Sequence, residues 1–154
     1  MEPLKFLYED IIKIQKNRDP FLMIDCATEV YLGKSAKGYK LLPSKEWFFK
    51  AHWKNDPNMP GMLQLEAMTQ MASLTILGKE ENHGKVMYIF SMDKIRFIQK
   101  VLPESKLEIV TELISWNKGV GKFKAKCFVN QRNVSRAEFN LMLPDEFRQY
   151  RDNS

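Results

Sequence analysis

The sequence predicts an α+β fold in which a curved antiparallel sheet wraps around one long central helix. Three observations carry that prediction. Residues 60–79 hold the one strong helical pattern, and its apolar residues fall on almost every face. Four strand-like segments follow it, separated by short turn signals. A run of antiparallel strands needs one face covered, and a single apolar helix is the obvious cover.

The elements follow in order. Leu4, Leu7, Tyr8, Ile11, Ile12 and Ile14 repeat at helical spacing, so a short amphipathic helix is expected within residues 1–15. Asn17-Arg18-Asp19-Pro20 breaks it. Residues 21–32 and 35–42 read as two strands of a hairpin turning at Gly33-Lys34. Residues 43–59 form an irregular stretch holding Trp47, Phe48, Phe49, His52 and Trp53. Loops are normally polar, so this one is expected to pack over something apolar. Pro60 suits a helix start, because its missing N–H would be unpaired there anyway. Gly78 suits the stop. Residues 86–98, 106–116, 122–131 and 134–143 read as a four-strand meander. Residues 144–154 are polar and are expected to form a flexible tail. No repeat, low-complexity tract or linker divides the chain, so residues 1–154 read as one domain.

Composition excludes several classes. The chain is 44% hydrophobic and 28% charged, as a soluble globular protein should be. No apolar run approaches the ~20 residues that cross a bilayer, and MEPLKFLYED carries acids where a signal peptide would be apolar. A cytoplasmic protein without membrane insertion is expected. Cys26 and Cys127 sit far apart in β-like segments and read as buried small hydrophobes in a reducing compartment. No Cys/His cluster points to a metal. The net charge of +5 comes without a basic block, so nucleic acid is not an expected partner, whereas an acidic partner would be steered in.

The chemistry concentrates in FFKAHWKNDPNMPGMLQLEAMTQ, residues 48–70. Glu66, Gln70 and Ser73 follow i, i+4, i+7 spacing and line one stripe of an otherwise apolar helix. An ionised carboxylate is rarely buried unpaired. The stripe therefore faces solvent, a subunit interface or a cavity. In a cavity, desolvation would raise the Glu66 pKa and let it donate a proton. His52 either packs in its aromatic loop or serves as a base beside the helix start. That start offers unpaired N–H groups and the positive end of the helix dipole. Gly61 has no side chain to block a carbonyl oxygen approaching its N–H, where negative charge could build.

These residues resemble the signature of the (3R)-hydroxyacyl-acyl-carrier-protein dehydratases of the FabZ kind, G-H-F-P-G-x-P-x-M-P-G-x-L-x-x-E-A-x-x-Q. Here it reads A-H-W-K-N-D-P-N-M-P-G-M-L-Q-L-E-A-M-T-Q, without insertion or deletion from His52 to Gln70. RDPFLMID, SMDKIRFIQKVLPESKLEI and KFKAKCFVNQRNVSRAEF resemble further segments of the family, in the same order. Ala51, Trp53, Lys54 and Asn55 depart from it, and losing a glycine and a proline changes the loop's permitted dihedrals.

The resemblance implies the hot-dog fold and a homodimer, or a trimer of dimers forming a homohexamer. It implies a hydro-lyase of fatty-acid or related acyl-chain biosynthesis that dehydrates a (3R)-hydroxyacyl thioester on acyl carrier protein or coenzyme A. Neither cofactor nor metal is implied. The catalytic histidine falls on His52, the glutamate from the other subunit on Glu66, and the thioester-holding glycine on Gly61. Gln70 falls where it would support Glu66. The tunnel for the acyl chain would be lined by Phe21, Trp53, Met59 and Met62. A basic rim of Lys50, Lys54, Lys94, Arg96 and Lys100 would meet the acidic carrier or a pantetheine phosphate. The alternatives are a hot-dog acyl thioesterase and a non-catalytic protein that binds acyl carriers.

Overall fold

The computed structural model describes residues 1–153, with the backbone alone described at Tyr150. Its centre is helix α3, Gly61–Leu77, capped by Pro60 and ended at Gly78. Fourteen of its seventeen residues are buried, and only Gly61, Met62 and Glu66 are not. A helix apolar all round must be enclosed. The enclosing sheet has seven antiparallel strands: β1 (Leu4–Phe6), β2 (Cys26–Tyr31), β3 (Ser35–Leu42), β4 (Tyr88–Phe97), β5 (Ser105–Asn117), β6 (Val120–Val129) and β7 (Arg132–Met142). Their spatial order is β1-β2-β3-β5-β6-β7-β4. Alternation sets the two faces: Phe123, Ala125 and Cys127 of β6 point to the core, while Lys122, Lys124 and Lys126 point out.

Close approach of sheet to helix depends on Gly38 of β3. A Cβ there would lie 2.7 Å from the Met71 Cε of α3. Phe48, Phe123, Phe139, Met68 and Met71 then fill the interior as fully buried side chains.

Four differences from the sequence reading have physical causes. The N-terminal segment is a strand and then a helix, because Leu4 and Phe6 pair with Val30 and Ala27 before α1 (Tyr8–Ile14) begins. Residues 21–25 are not strand. Met23 gives its backbone N–H to the Gln70 side chain instead of to a neighbouring strand, at 2.7 Å. The last four strands are no simple meander. β4 pairs with β7 and lies at the free edge, whereas β5 pairs with β3 and β6. Most of the expected flexible tail is helix α4, Pro144–Asp152. It docks through a hydrogen bond from Trp116 Nε1 to Glu146 Oε1 at 3.0 Å. Ser154 lies outside the described residues.

Within the aromatic stretch, Trp47–Ala51 form the short helix α2, whose Phe48 and Phe49 are buried. Among the described residues, no helix is long and apolar enough to cross a membrane.

Candidate active site

His52 sits at the C-terminal end of α2, half-buried, its ring stacked on Trp53 at 4.5 Å. Its Nδ1 lies 3.0 Å from the Asn58 carbonyl oxygen. A carbonyl only accepts, so Nδ1 carries the proton. The lone pair is then left on Nε2, and the imidazole is held in one tautomer and one orientation. Asn58 is itself buried, and its Nδ2 donates to the Asp56 carbonyl at 2.9 Å.

The substituted loop still makes its turn. Asn55 has a φ of +61°, in the left-handed region. It stands where the resembling motif has glycine, and asparagine is among the few residues that tolerate this conformation. The lost glycine therefore does not unmake the loop.

The loop leads to Gly61, the first residue of α3. Amides of a first helical turn have no intrahelical partner. A Cβ on Gly61 would lie 2.6 Å from the Phe97 ring, so glycine lets Phe97 lie directly against the helix start.

Glu66 lies on the same helix and is half-buried. The rest of its stripe is not solvated: Gln70 and Ser73 are buried. Gln70 acts as a clamp. Its Oε1 accepts the Met23 N–H at 2.7 Å, which fixes the amide orientation. Its Nε2 donates to the Phe21 carbonyl and to Glu66 Oε1, both at 2.8 Å. One carboxylate oxygen of Glu66 is thus fixed, and the other has no donor among the described residues. In this chain the stripe leaves its one ionisable group half-buried and uses its amide to hold it.

The remaining expected residues separate into groups. Phe21, Trp53 and Met62 are exposed, at 49%, 55% and 70%, whereas Met59 is closed into the core of a single chain. Lys50 and Lys54 are exposed on α2 and the loop after it. Lys100 binds both carboxylate oxygens of Asp56, at 2.9 and 2.8 Å. Lys94 pairs with Glu138 at 3.3 Å. Lys94 and Arg96 line a groove of about 790 Å³ on the outer sheet face, with Lys124, Lys126 and Arg136. Among the described residues, no three His, Cys, Asp or Glu side chains cluster as a metal site requires.

Asp56, Asn58 and Gln64 do not stand out in the sequence. Gln64 is buried and donates from Nε2 to the Met59 carbonyl at 3.3 Å. The signal for Asn55 was present, since asparagine at a family glycine position marks a left-handed turn. The others act through contacts that spacing does not reveal.

Comparison with known proteins decides the family. Residues 16–138 match the FabA-like domain. This chain belongs to that family. It is 41% identical over 140 residues to the 3-hydroxyacyl-[acyl-carrier-protein] dehydratase FabZ of Clostridium botulinum (strain Loch Maree / Type A3), covering 90% of this chain and 97% of that one. It is 42% identical over 128 residues to the FabZ of Caldicellulosiruptor saccharolyticus, covering 83% of this chain and 91% of the relative. Among solved structures, the dehydratase heterocomplex ApeI:P from Xenorhabdus doucetiae superposes with a TM-score of 0.75 at 13% identity, over 91% of this chain and 95% of that one. A hypothetical thioesterase with coenzyme A from Streptococcus pneumoniae gives 0.56 at 12% identity, over 73% and 80%. At those identities the structural likeness bears on the fold, which is the hot-dog fold in this FabA-like chain.

Proposed function

We propose that this FabA-like chain is a hydro-lyase that removes water from a (3R)-hydroxyacyl thioester on acyl carrier protein, giving the trans-2-enoyl thioester in fatty-acid biosynthesis. The observation that carries the chemistry is the His52 tautomer. With Nδ1–H on the Asn58 carbonyl, Nε2 is free to act as a base.

His52 Nε2 takes the proton α to the thioester carbonyl. The electron pair moves toward the carbonyl oxygen, where the Gly61 N–H and the helix dipole stabilise the developing charge. The β carbon–oxygen bond then breaks. Glu66 of a partner subunit donates the proton that turns the departing hydroxyl into water. Gln70 holds Glu66 in place for that transfer. A positioned acid or base contributes on the order of 10²–10⁴-fold in rate.

A second subunit is part of this reading. β4 lies at the sheet edge with Tyr88, Ile89, Phe90, Ile95 and Phe97 exposed. An unpaired apolar edge invites another strand, and pairing two β4 edges would give a continuous sheet and a homodimer. Phe21, Trp53 and Met62 would line the acyl channel, with Met59 as its floor. Lys50, Lys54 and Arg96 have no carboxylate partner among the described residues, and they are the side chains left for an acidic carrier.

The test is incubation with crotonyl and 3-hydroxybutyryl thioesters while the enoyl absorbance is followed. Reversible hydration is expected. Release of free thiol would instead make the chain a thioesterase, and silence in both assays would make it a non-catalytic binder.

A further inference from the structure

We propose that Asp56 and Lys100 form a positioning pair for His52. The proposal rests on the dehydratase reading for its kinetic consequence, but not for its geometry.

The segment after β4 touches the His52 loop at two adjacent residues. Lys100 Nζ reaches both oxygens of the Asp56 carboxylate, at 2.9 and 2.8 Å. The next residue, Val101, is buried, and its carbonyl accepts the Met59 N–H at 2.8 Å. The peptide unit between Asn58 and Met59 is therefore held at both ends. Its N–H is fixed on Val101, and its carbonyl receives the His52 Nδ1–H at 3.0 Å. Chained hydrogen bonds of this kind polarise one another.

Asp56 stands at the crossing of these contacts. Its side chain is bound by Lys100, and its main-chain carbonyl takes the Asn58 amide at 2.9 Å. A shift of Asp56 moves Asn58, and with it the carbonyl that sets the imidazole. Between His52 and Asp56 the chain reads Trp-Lys-Asn, with no proline to restrict it. A link at the far end of the loop, from a residue 44 positions away, supplies the missing restriction. The pair is partly exposed, at 57% for Lys100 and 40% for Asp56, so salt screens it. Its stabilisation of the fold is small. Its effect is on placement, and a base displaced by ~1 Å can cost as much as 10²-fold in rate.

The experiment uses full-length protein and a short 3-hydroxyacyl N-acetylcysteamine thioester, so that carrier docking does not enter. Lys100→Met and Asp56→Asn are expected to lower kcat about three- to tenfold with KM unchanged, while the unfolding temperature stays near wild type. Lys100→Arg should keep kcat. The double variant Lys100→Met with Asp56→Asn should be no worse than either single change. Wild-type kcat should fall with added salt toward the variants' value, and the variants should not respond. Nitrogen NMR of the imidazoles, simple to assign with two histidines in the chain, should show His52 as the Nδ1–H tautomer in wild type and as a mixture in the variants.

Variants with unchanged kcat and an unchanged tautomer would overturn the pairing's role. If wild type itself turned over no thioester, the dehydratase reading would fall. The NMR comparison would still decide whether Asp56 and Lys100 position His52.

Discussion

Replacing Gln70 by leucine separates its two tasks, holding the 21–25 segment and holding Glu66. Leucine matches the volume but removes three hydrogen bonds, to Met23 N–H, Phe21 carbonyl and Glu66 Oε1. Met23 is fully buried, so its N–H would be left without water or protein. An unsatisfied buried donor costs about 1–3 kcal/mol, and each ordinary hydrogen bond lost elsewhere about 1 kcal/mol. Phe21 is half exposed and its carbonyl can find water, which lowers its share. The sum is roughly 2–4 kcal/mol. For a chain of this size each kcal/mol lowers the unfolding temperature by about 2–4 °C, so a fall of roughly 4–16 °C is expected by calorimetry. Turnover of crotonyl thioester at a temperature where the variant is folded should drop about ten- to a hundredfold, because Glu66 is no longer aimed. A Gln70→Leu protein that unfolds within 1 °C of wild type and keeps its kcat would refute the clamp.

Gly61→Ala keeps the backbone N–H but places a methyl against the Phe97 ring beside it, and it should cut kcat by about tenfold through misplacement while shifting stability little, since a half-exposed ring can move aside. A paired measurement of kcat and unfolding temperature checks both halves. At position 55, Gly should be neutral or mildly stabilising. Val should lower stability by about 1–2 kcal/mol in chemical denaturation, because φ is +61° there. The Ser44 hydroxyl and backbone N–H hold the exposed Glu104 carboxyl below the ordinary glutamate range. Its contribution is therefore present at neutral pH and is lost as pH falls through the folded-state value. Ser44→Ala should raise the Glu104 titration midpoint in an NMR pH series, and the stability difference from wild type should vanish in acid.

Some of this architecture is written in local sequence. Pro60 and Gly78 bracket an apolar run, and the helix appears between them. Strand β3 spans residues 35–42 as its alternation predicts. Other parts depend on partners distant in sequence. LKF is too short to read as a strand alone, and it becomes one because Val30 and Ala27 offer pairing. FLMID is apolar like a strand, yet Gln70 takes its backbone. Helix α4 carries legible signals, Pro144 at its start, Asp145 and Glu146 in its first turn and Arg151 in its last. Its low hydrophobic content hid it. Cys127 reads as a buried hydrophobe and is one, with burial pushing its thiol up to about 12.

In the candidate site, His52, Gly61, Glu66 and Gln70 stand within nineteen positions of one another and were visible together. Asp56, Asn58 and Lys100 were not, since a lysine on a distant segment reads as surface charge until its partner is seen. The assignment of Lys100 to an anionic carrier shows the same gap, because its charge is already bound by Asp56.

The proposed dehydratase needs His52 of one protomer and the partner's Glu66 in the same site, and mixing two inactive proteins tests that sharing. His52→Ala and Glu66→Gln should each abolish thioester hydration alone. After subunit exchange, half the dimers should be mixed, and each mixed dimer should carry one intact site. Activity should then return to about a quarter of wild type. No recovery in a mixture proven to contain mixed dimers would contradict the shared site.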